Sequence, residues 1–140
     1  MNLQQAHRSI YGAFIMEWLF LGLWELLMFD RLQWQLSPLE KAGWYLFFLV
    51  VPMLAMLGMR LQRMWAGWLV MVYGVLLLML DSSLVVAVVR KPELPDVALL
   101  VLMPLAVIGG HLVTNGKAVY QLTLATREQK TGEINDRLAD

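Results

Sequence analysis

The chain has 140 residues, of which 59% are hydrophobic and 16% are charged, and its formal net charge is zero. The absence of cysteine excludes disulfides, thiolate metal sites, iron–sulfur clusters and thiol nucleophiles, and the balanced charge provides no basic face for nucleic acid. Soluble domains carry about 25% charged residues, whereas the few charges here leave several long apolar runs, so the composition indicates a polytopic membrane protein.

Four stretches are long and apolar enough to cross a bilayer, which takes about 20 residues for a helix. The predicted spans are 9–29, 38–59, 64–89 and 96–115. Ser37, Pro38 and Glu40 carry the signature of a capped helix start before the second span. We therefore predict an all-α, integral membrane four-helix bundle over residues 1–116. Its short connections predict that successive helices are antiparallel neighbours.

The chain turns polar after Gly116, and residues 117–140 are predicted to form a polar tail. The stretch VYQLTLATREQK favours a helical extension of the fourth span, although the alternation of Tyr120, Leu122 and Leu124 also fits a strand. Gly132 is expected to interrupt such a helix. The tail is too short to be a soluble domain.

Basic residues are distributed unevenly between the two sides of the predicted bundle. One side carries Arg8, Arg60, Arg63, Lys117, Arg127, Lys130 and Arg137. The other carries Arg31, Lys41, Arg90 and Lys91. The positive-inside rule then predicts a multi-pass protein of a cell inner membrane with both termini in the cytoplasm.

Four ionisable side chains fall inside the predicted spans: Glu17, Glu25, Asp81 and His111. Such groups are costly in a bilayer and usually face the interior of a bundle. At about 1.5 Å per residue, Glu17 and His111 reach similar depths near the cytoplasmic side, and Glu25 and Asp81 reach similar depths near the outer side. A carboxyl group buried beside no cation favours its neutral form and can exchange a proton.

These four residues are therefore candidate proton- or cation-handling groups, with Trp24 as a wall of the site. The alternative interpretation is that they only provide interhelical hydrogen bonds, such as Glu17 with His111 or Asp81 with Ser82 and Ser83. For Glu25, the alternative is a side chain that reaches the outer interface.

Two further patterns concern packing and metals. Gly67, Gly74 and Asp81 are spaced by seven residues, which places two glycines and a carboxylate on one stripe of the third span, where small residues allow close helix packing. The thioethers of Met53, Met56 and Met59 could bind Cu(I), but ten methionines in so apolar a chain are more typical of core filling. We predict no metal or other cofactor.

Four short helices with a glutamate inside the first resemble the small multidrug resistance transporters, in which such a glutamate exchanges protons for cationic drugs. The resemblance covers the helix count and Glu17. The chain departs from that pattern in Glu25, Asp81, His111 and its polar tail. The resemblance implies a small proton-coupled transporter.

The motifs of hydrolases, nucleotide-binding proteins and metalloproteases do not occur in the sequence, so we do not expect an enzyme. The sequence favours proton- or cation-coupled transport or conduction by a homo-oligomer in the lipid bilayer. The alternative is a non-catalytic accessory or assembly subunit that binds other membrane subunits of a larger complex.

Overall fold

A computed structural model describes residues 1–28, 37–90 and 97–139. These residues form four helices and no strand: α1 (Leu3–Met28), α2 (Pro38–Arg60), α3 (Met64–Val89) and α4 (Val97–Ala139). The predicted all-α helical bundle is confirmed. The predicted span ends at Phe29 and Asp96, and the basic residues Arg31 and Lys91, lie outside the described residues.

Helices α1, α2 and α3 have the length and composition of membrane spans. The apolar stretches are Leu3–Leu26, Pro38–Arg60 and Met64–Val89. Large apolar side chains also face outward from the bundle, and Leu19 and Met79 are each 63% exposed. An apolar exterior on this scale is typical of a surface that contacts lipid. The chain is therefore a multi-pass membrane protein, and the fourth crossing, at 96–115, stays a prediction.

Helix α2 begins at the predicted capping box. The Ser37 hydroxyl accepts a hydrogen bond from the Glu40 backbone N–H over 3.3 Å, and the Glu40 carboxylate accepts one from the Ser37 backbone N–H over 2.7 Å. Pro38 occupies the first helical position, where its missing N–H costs nothing. The predicted start of the second helix is confirmed.

Helix α4 is one continuous helix of 43 residues. At 1.5 Å per residue it is about 65 Å long, about twice the thickness of a hydrocarbon core, so part of it must lie outside a bilayer. The strand alternative for the tail is wrong, and so is the expected interruption at Gly132, because the helix runs through both. A glycine costs a helix only about 1 kcal/mol relative to alanine, and it keeps its backbone N–H.

The helices are arranged around the bundle in the order α1, α4, α3, α2. Helix α3 has its most extensive contact with α4, α4 also packs against α1, and α3 also packs against α2. Helices α1 and α2 share few close backbone contacts, so the expectation that all successive helices pack as neighbours is only partly met. Aromatic side chains, among them Trp18, Trp44 and Tyr45, line a cavity between α1 and α2.

Buried positions in α3 and α4 repeat at alternating intervals of three and four residues. In α3 they include Gly67, Val70, Gly74, Leu77, Asp81, Leu84 and Val88. In α4 they include Leu102, Leu105, Gly109, Leu112, Gly116, Val119 and Thr123. An average spacing of 3.5 residues is the repeat of left-handed helix packing.

Glycines bring the backbones of α3 and α4 together along this contact. A Cβ atom on Gly67 would lie 2.9 Å from the Gly116 carbonyl oxygen, and one on Gly74 would lie 2.8 Å from the Gly109 carbonyl oxygen. Both distances are shorter than side chains tolerate, and the obstacle is backbone rather than a movable side chain. The two glycines predicted to pack thus lie directly against two glycines of α4.

Substitution of Gly74 by alanine should therefore destabilise the bundle by about 1–3 kcal/mol, the usual cost of overpacking. Gly12 in α1 is the matched control, since a Cβ there meets nothing within 4 Å. Gly12→Ala should leave stability unchanged or raise it by up to about 1 kcal/mol through helix propensity. Reversible unfolding of the purified chain in mild detergent measures both values. Equal stability of the two variants would contradict the close backbone contact.

A buried carboxyl site and interhelical hydrogen bonds

Glu17 is completely buried in the centre of the bundle, with 0% of its side chain exposed. It lies seven residues from both Ile10 and Trp24, which are also buried, and this spacing places it on the inner stripe of α1. The hydroxyl of Tyr73, on α3, donates a hydrogen bond to its Oε1. Its Oε2 has no hydrogen-bond partner.

Aromatic rings from two helices hold Tyr73 in place. Phe14 of α1 meets the Tyr73 ring edge to face with 5.8 Å between centroids. The ring centroids of Phe47 and Phe48 of α2 lie 5.4 Å and 6.3 Å from the ring centroid of Tyr73. Ile108 and Leu112 of α4 belong to the same apolar core. All four helices thus enclose the hydroxyl–carboxyl pair, and its surroundings are apolar.

His111 does not pair with Glu17 as the sequence predicted. It is exposed, and its Nε2 lies 2.6 Å from the Ser9 hydroxyl of α1. Ser9 precedes Glu17 by eight residues, which is about 12 Å along the helix. An equal count from the predicted span ends places His111 level with Ala13, about one turn from Glu17, and in the structure His111 lies about one turn nearer still to the start of α1, beside Ser9.

His111 also borders a broad apolar groove between α1 and α4. The groove has a volume of about 610 Å³, and its lining includes Met16, Phe20 and Pro104. Glu17 is not among its lining residues.

Glu25 and Asp81 have different surroundings. Glu25 is exposed near the end of α1, and the hydroxyl of Tyr45 on α2 donates a hydrogen bond to its Oε1. Asp81 is 5% exposed on the inner stripe of α3, and its Oδ1 has no hydrogen-bond partner. No described side chain forms hydrogen bonds to both of these carboxylates. Gly74 of α3 faces Gly109 of α4. Seven residues later in α3 and seven residues earlier in α4, the same register places Asp81 opposite Leu102.

The proposed network of Asp81 with the two serines that follow it is not formed. The Ser82 hydroxyl donates to the Leu78 carbonyl over 2.7 Å, and the Ser83 hydroxyl donates to the Met79 carbonyl over 2.9 Å. Both bonds satisfy the hydroxyls within α3 itself, which is the usual solution for serine in an apolar helix. Neither serine therefore contributes to a site around Asp81.

Trp24 forms part of the surroundings of Glu25 rather than of Glu17. It is 9% exposed and lines a cavity between α1 and α2 together with Glu25 and Tyr45. The seven residues between Trp24 and Glu17 correspond to about 10 Å along α1. Its predicted role as a wall thus applies to a different carboxylate.

The three methionines of the Cu(I) alternative face different surroundings. Met53 is 58% exposed, whereas Met59 is 1% exposed in the apolar core. Met56 is half-buried and borders a groove beside Tyr11. No group of three or more His, Asp and Glu side chains among the described residues could hold a metal ion.

Sequence reasoning missed the two tyrosines that bind the carboxylates. Tyr73 is the only tyrosine of α3 and directly precedes Gly74 of the predicted glycine stripe. Buried tyrosine hydroxyls usually find a partner, so this position was the available signal. Tyr45 lies near the start of α2, where the common interfacial role of aromatic residues hides a specific one.

Comparison of the chain with protein-family models, curated proteins and solved structures finds no match. The resemblance to small multidrug resistance transporters therefore has no support beyond the helix count and Glu17.

The contribution of the Tyr73–Glu17 bond can be measured by a double-mutant cycle. Tyr73→Phe should lower the free energy of unfolding by about 0.5–2 kcal/mol, because it leaves both carboxyl oxygens without a partner. Adding Glu17→Leu should recover part of this loss, since removing both polar partners is less costly than removing one.

Tyr11→Phe provides the control for this cycle. Its hydroxyl donates to the Met56 carbonyl over 3.4 Å in a half-buried position, so its removal should cost less. Additive effects of the Tyr73 and Glu17 substitutions would show that the bond does not couple α1 to α3.

Proposed function

We propose that the protein is a non-catalytic subunit of a larger membrane assembly. The observation that carries this proposal is the separation of its polar groups. Each of three side-chain hydrogen bonds joins α1 to a different helix: Glu17 to α3, Ser9 to α4 and Glu25 to α2. A proton relay requires a continuous series of polar groups within hydrogen-bond distance of one another. Separate hydrogen bonds, each between one pair of helices, are typical of structural contacts.

The end of α4 supports binding to other subunits. Residues 127–134 are all exposed, so this helical segment presents its whole circumference. Near the start of this segment, Arg127 donates a 3.5 Å hydrogen bond from Nη1 to the Met64 sulfur of α3. A polar helix beyond the bundle gains little from packing within its own chain, and most helical stability in proteins comes from packing against other elements. A partner outside the bilayer would provide that packing.

Proton- or cation-coupled transport is the second candidate function. It is favoured by two buried oxygens without hydrogen-bond partners, Oε2 of Glu17 and Oδ1 of Asp81. A carboxylic acid proton or a bound cation would satisfy such atoms. Because aromatic side chains enclose Glu17, a pathway to it would have to open by helix movement or form between copies of the chain.

Mild extraction from the native membrane followed by native mass spectrometry tests the first proposal. We expect a complex of fixed composition with other membrane chains, which Glu17→Gln leaves intact because the amide oxygen still accepts the Tyr73 hydroxyl. A chain ending at Thr126 should keep the bundle and lose the partners. Recovery of the full-length chain alone as a homo-oligomer would contradict the accessory role.

Proton flux into liposomes that contain only this chain separates the two functions. A structural subunit should give the same flux as empty liposomes, both as wild type and as Glu17→Gln. A flux that the wild type supports and Glu17→Gln abolishes would establish the transport function instead. Glu40→Gln, which changes an exposed carboxylate at the start of α2, is the control for nonspecific charge effects.

A further inference from the structure

A small cavity between α1 and α2 combines several aromatic rings with one carboxylate. Its volume is about 180 Å³. Its aromatic and acidic lining consists of Trp18, Trp24, Trp44, Tyr45, Phe48 and Glu25. No Lys, Arg or His is among the described lining residues.

The rings are held in place by contacts that need no ligand. The indole N–H of Trp18 donates to the Phe48 carbonyl over 2.9 Å. The rings of Trp44 and Phe48 are in contact, with 4.9 Å between centroids. Tyr45 donates its hydroxyl to Oε1 of Glu25, which leaves Oε2 outside that bond. The cavity is therefore preorganised, and its carboxylate is fixed at the border of the aromatic lining.

The charge distribution of this lining selects cations. Aromatic faces carry the negative part of the ring quadrupole and attract organic cations, most strongly where several rings surround the charge. Glu25 adds a formal negative charge, and the described lining has no positive group to oppose it. Because the walls are apolar, a cation that sheds its water at low cost is preferred over a small, strongly hydrated metal ion.

We propose that this cavity binds a quaternary ammonium group of the choline type. A water molecule occupies about 30 Å³ in the liquid, so 180 Å³ holds about six heavy atoms, which is close to the size of a trimethylammonium-ethyl group. The site does not depend on the accessory role proposed above, because it uses neither Glu17 nor the end of α4.

The position of the cavity fits a ligand that enters from the membrane surface. Glu25 lies three residues before the end of α1 at Met28, about one turn. Trp44 lies six residues after the start of α2 at Pro38, about 9 Å. The ammonium group could therefore belong to a lipid headgroup or to a free cation from the aqueous phase.

The test uses the full chain in nanodiscs of phosphatidylglycerol, which has no ammonium group, with tryptophan fluorescence as the readout. Choline should produce a saturable change, and its uncharged dimethylbutanol isostere should bind at least about tenfold more weakly. This comparison needs no variant. Equal responses to the two compounds, or no saturable response to choline, would overturn the proposal.

Two matched variants locate the site. Glu25→Gln keeps a hydrogen-bond acceptor for Tyr45 but removes the charge, and we expect choline binding about tenfold weaker or worse. Trp68→Leu removes an exposed tryptophan of α3 that lies outside the cavity, and choline binding should not change. Unchanged binding in Glu25→Gln, with helix content retained by circular dichroism, would overturn the assignment to this cavity.

Native mass spectrometry distinguishes the two sources of the ammonium group. Retention of one phosphatidylcholine molecule in preference to phosphatidylglycerol, lost in Glu25→Gln, would identify a lipid headgroup as the ligand. Choline binding without preferential lipid retention would identify a free cation. The absence of both would overturn the proposal.

Discussion

A carboxyl group that is completely buried among apolar side chains needs a polar partner inside the bundle, and this requirement shapes the protein around Glu17. The partner is the Tyr73 hydroxyl, which α3 directs toward α1, while rings from α1 and α2 fix the orientation of the tyrosine. Two further bonds, from Ser9 to His111 and from Glu25 to Tyr45, join α1 to the remaining helices. Helix α1 thus depends on polar contacts more than α3 and α4 do, since those two helices pack backbone to backbone through glycines. Both glutamates of α1 thus join it to another helix, Glu17 to α3 and Glu25 to α2.

Much of the fold could be predicted from the sequence because the signals are local and physical. Apolar runs of the right length marked the spans, and Ser37, Pro38 and Glu40 marked the start of α2 to the residue. The glycine stripe of α3 was visible as a spacing of seven between Gly67 and Gly74. The wrong expectations had two different origins. The choice of α4 rather than α2 as the main partner of α1 is set by packing between distant parts of the chain, which no local pattern shows. The break at Gly132 overestimated a local signal, since a single glycine costs a helix only about 1 kcal/mol.

The ionisable residues of the candidate site were predicted from the sequence, but their hydrogen-bond partners were not. The carboxylates and the histidine were recognisable because ionisable groups in apolar spans are rare. Pairing by depth assumed that all helices begin at the same level and face one another, but α4 is shifted so that His111 meets Ser9 instead of Glu17. A shift of one or two turns cannot be read from a single chain, because helices can slide along one another without a change in hydrophobic pattern. Tyr45 was missed because aromatic residues near the ends of membrane spans have an ordinary interfacial role that hides a specific one.

Glu17 is completely buried in the packed core, and we propose that it serves structure there rather than proton exchange with the medium. Infrared spectroscopy of the chain in lipid tests this proposal, with the Glu17 carboxyl band assigned through Glu17→Gln and the Glu25 band assigned through Glu25→Gln. After a change in the pH of the medium, we predict that the Glu25 band responds at once, whereas the Glu17 band changes neither with the pH nor on transfer from H₂O to D₂O until the bundle unfolds. A Glu17 band that responds as fast as that of Glu25 would contradict a sealed core and would favour proton transport.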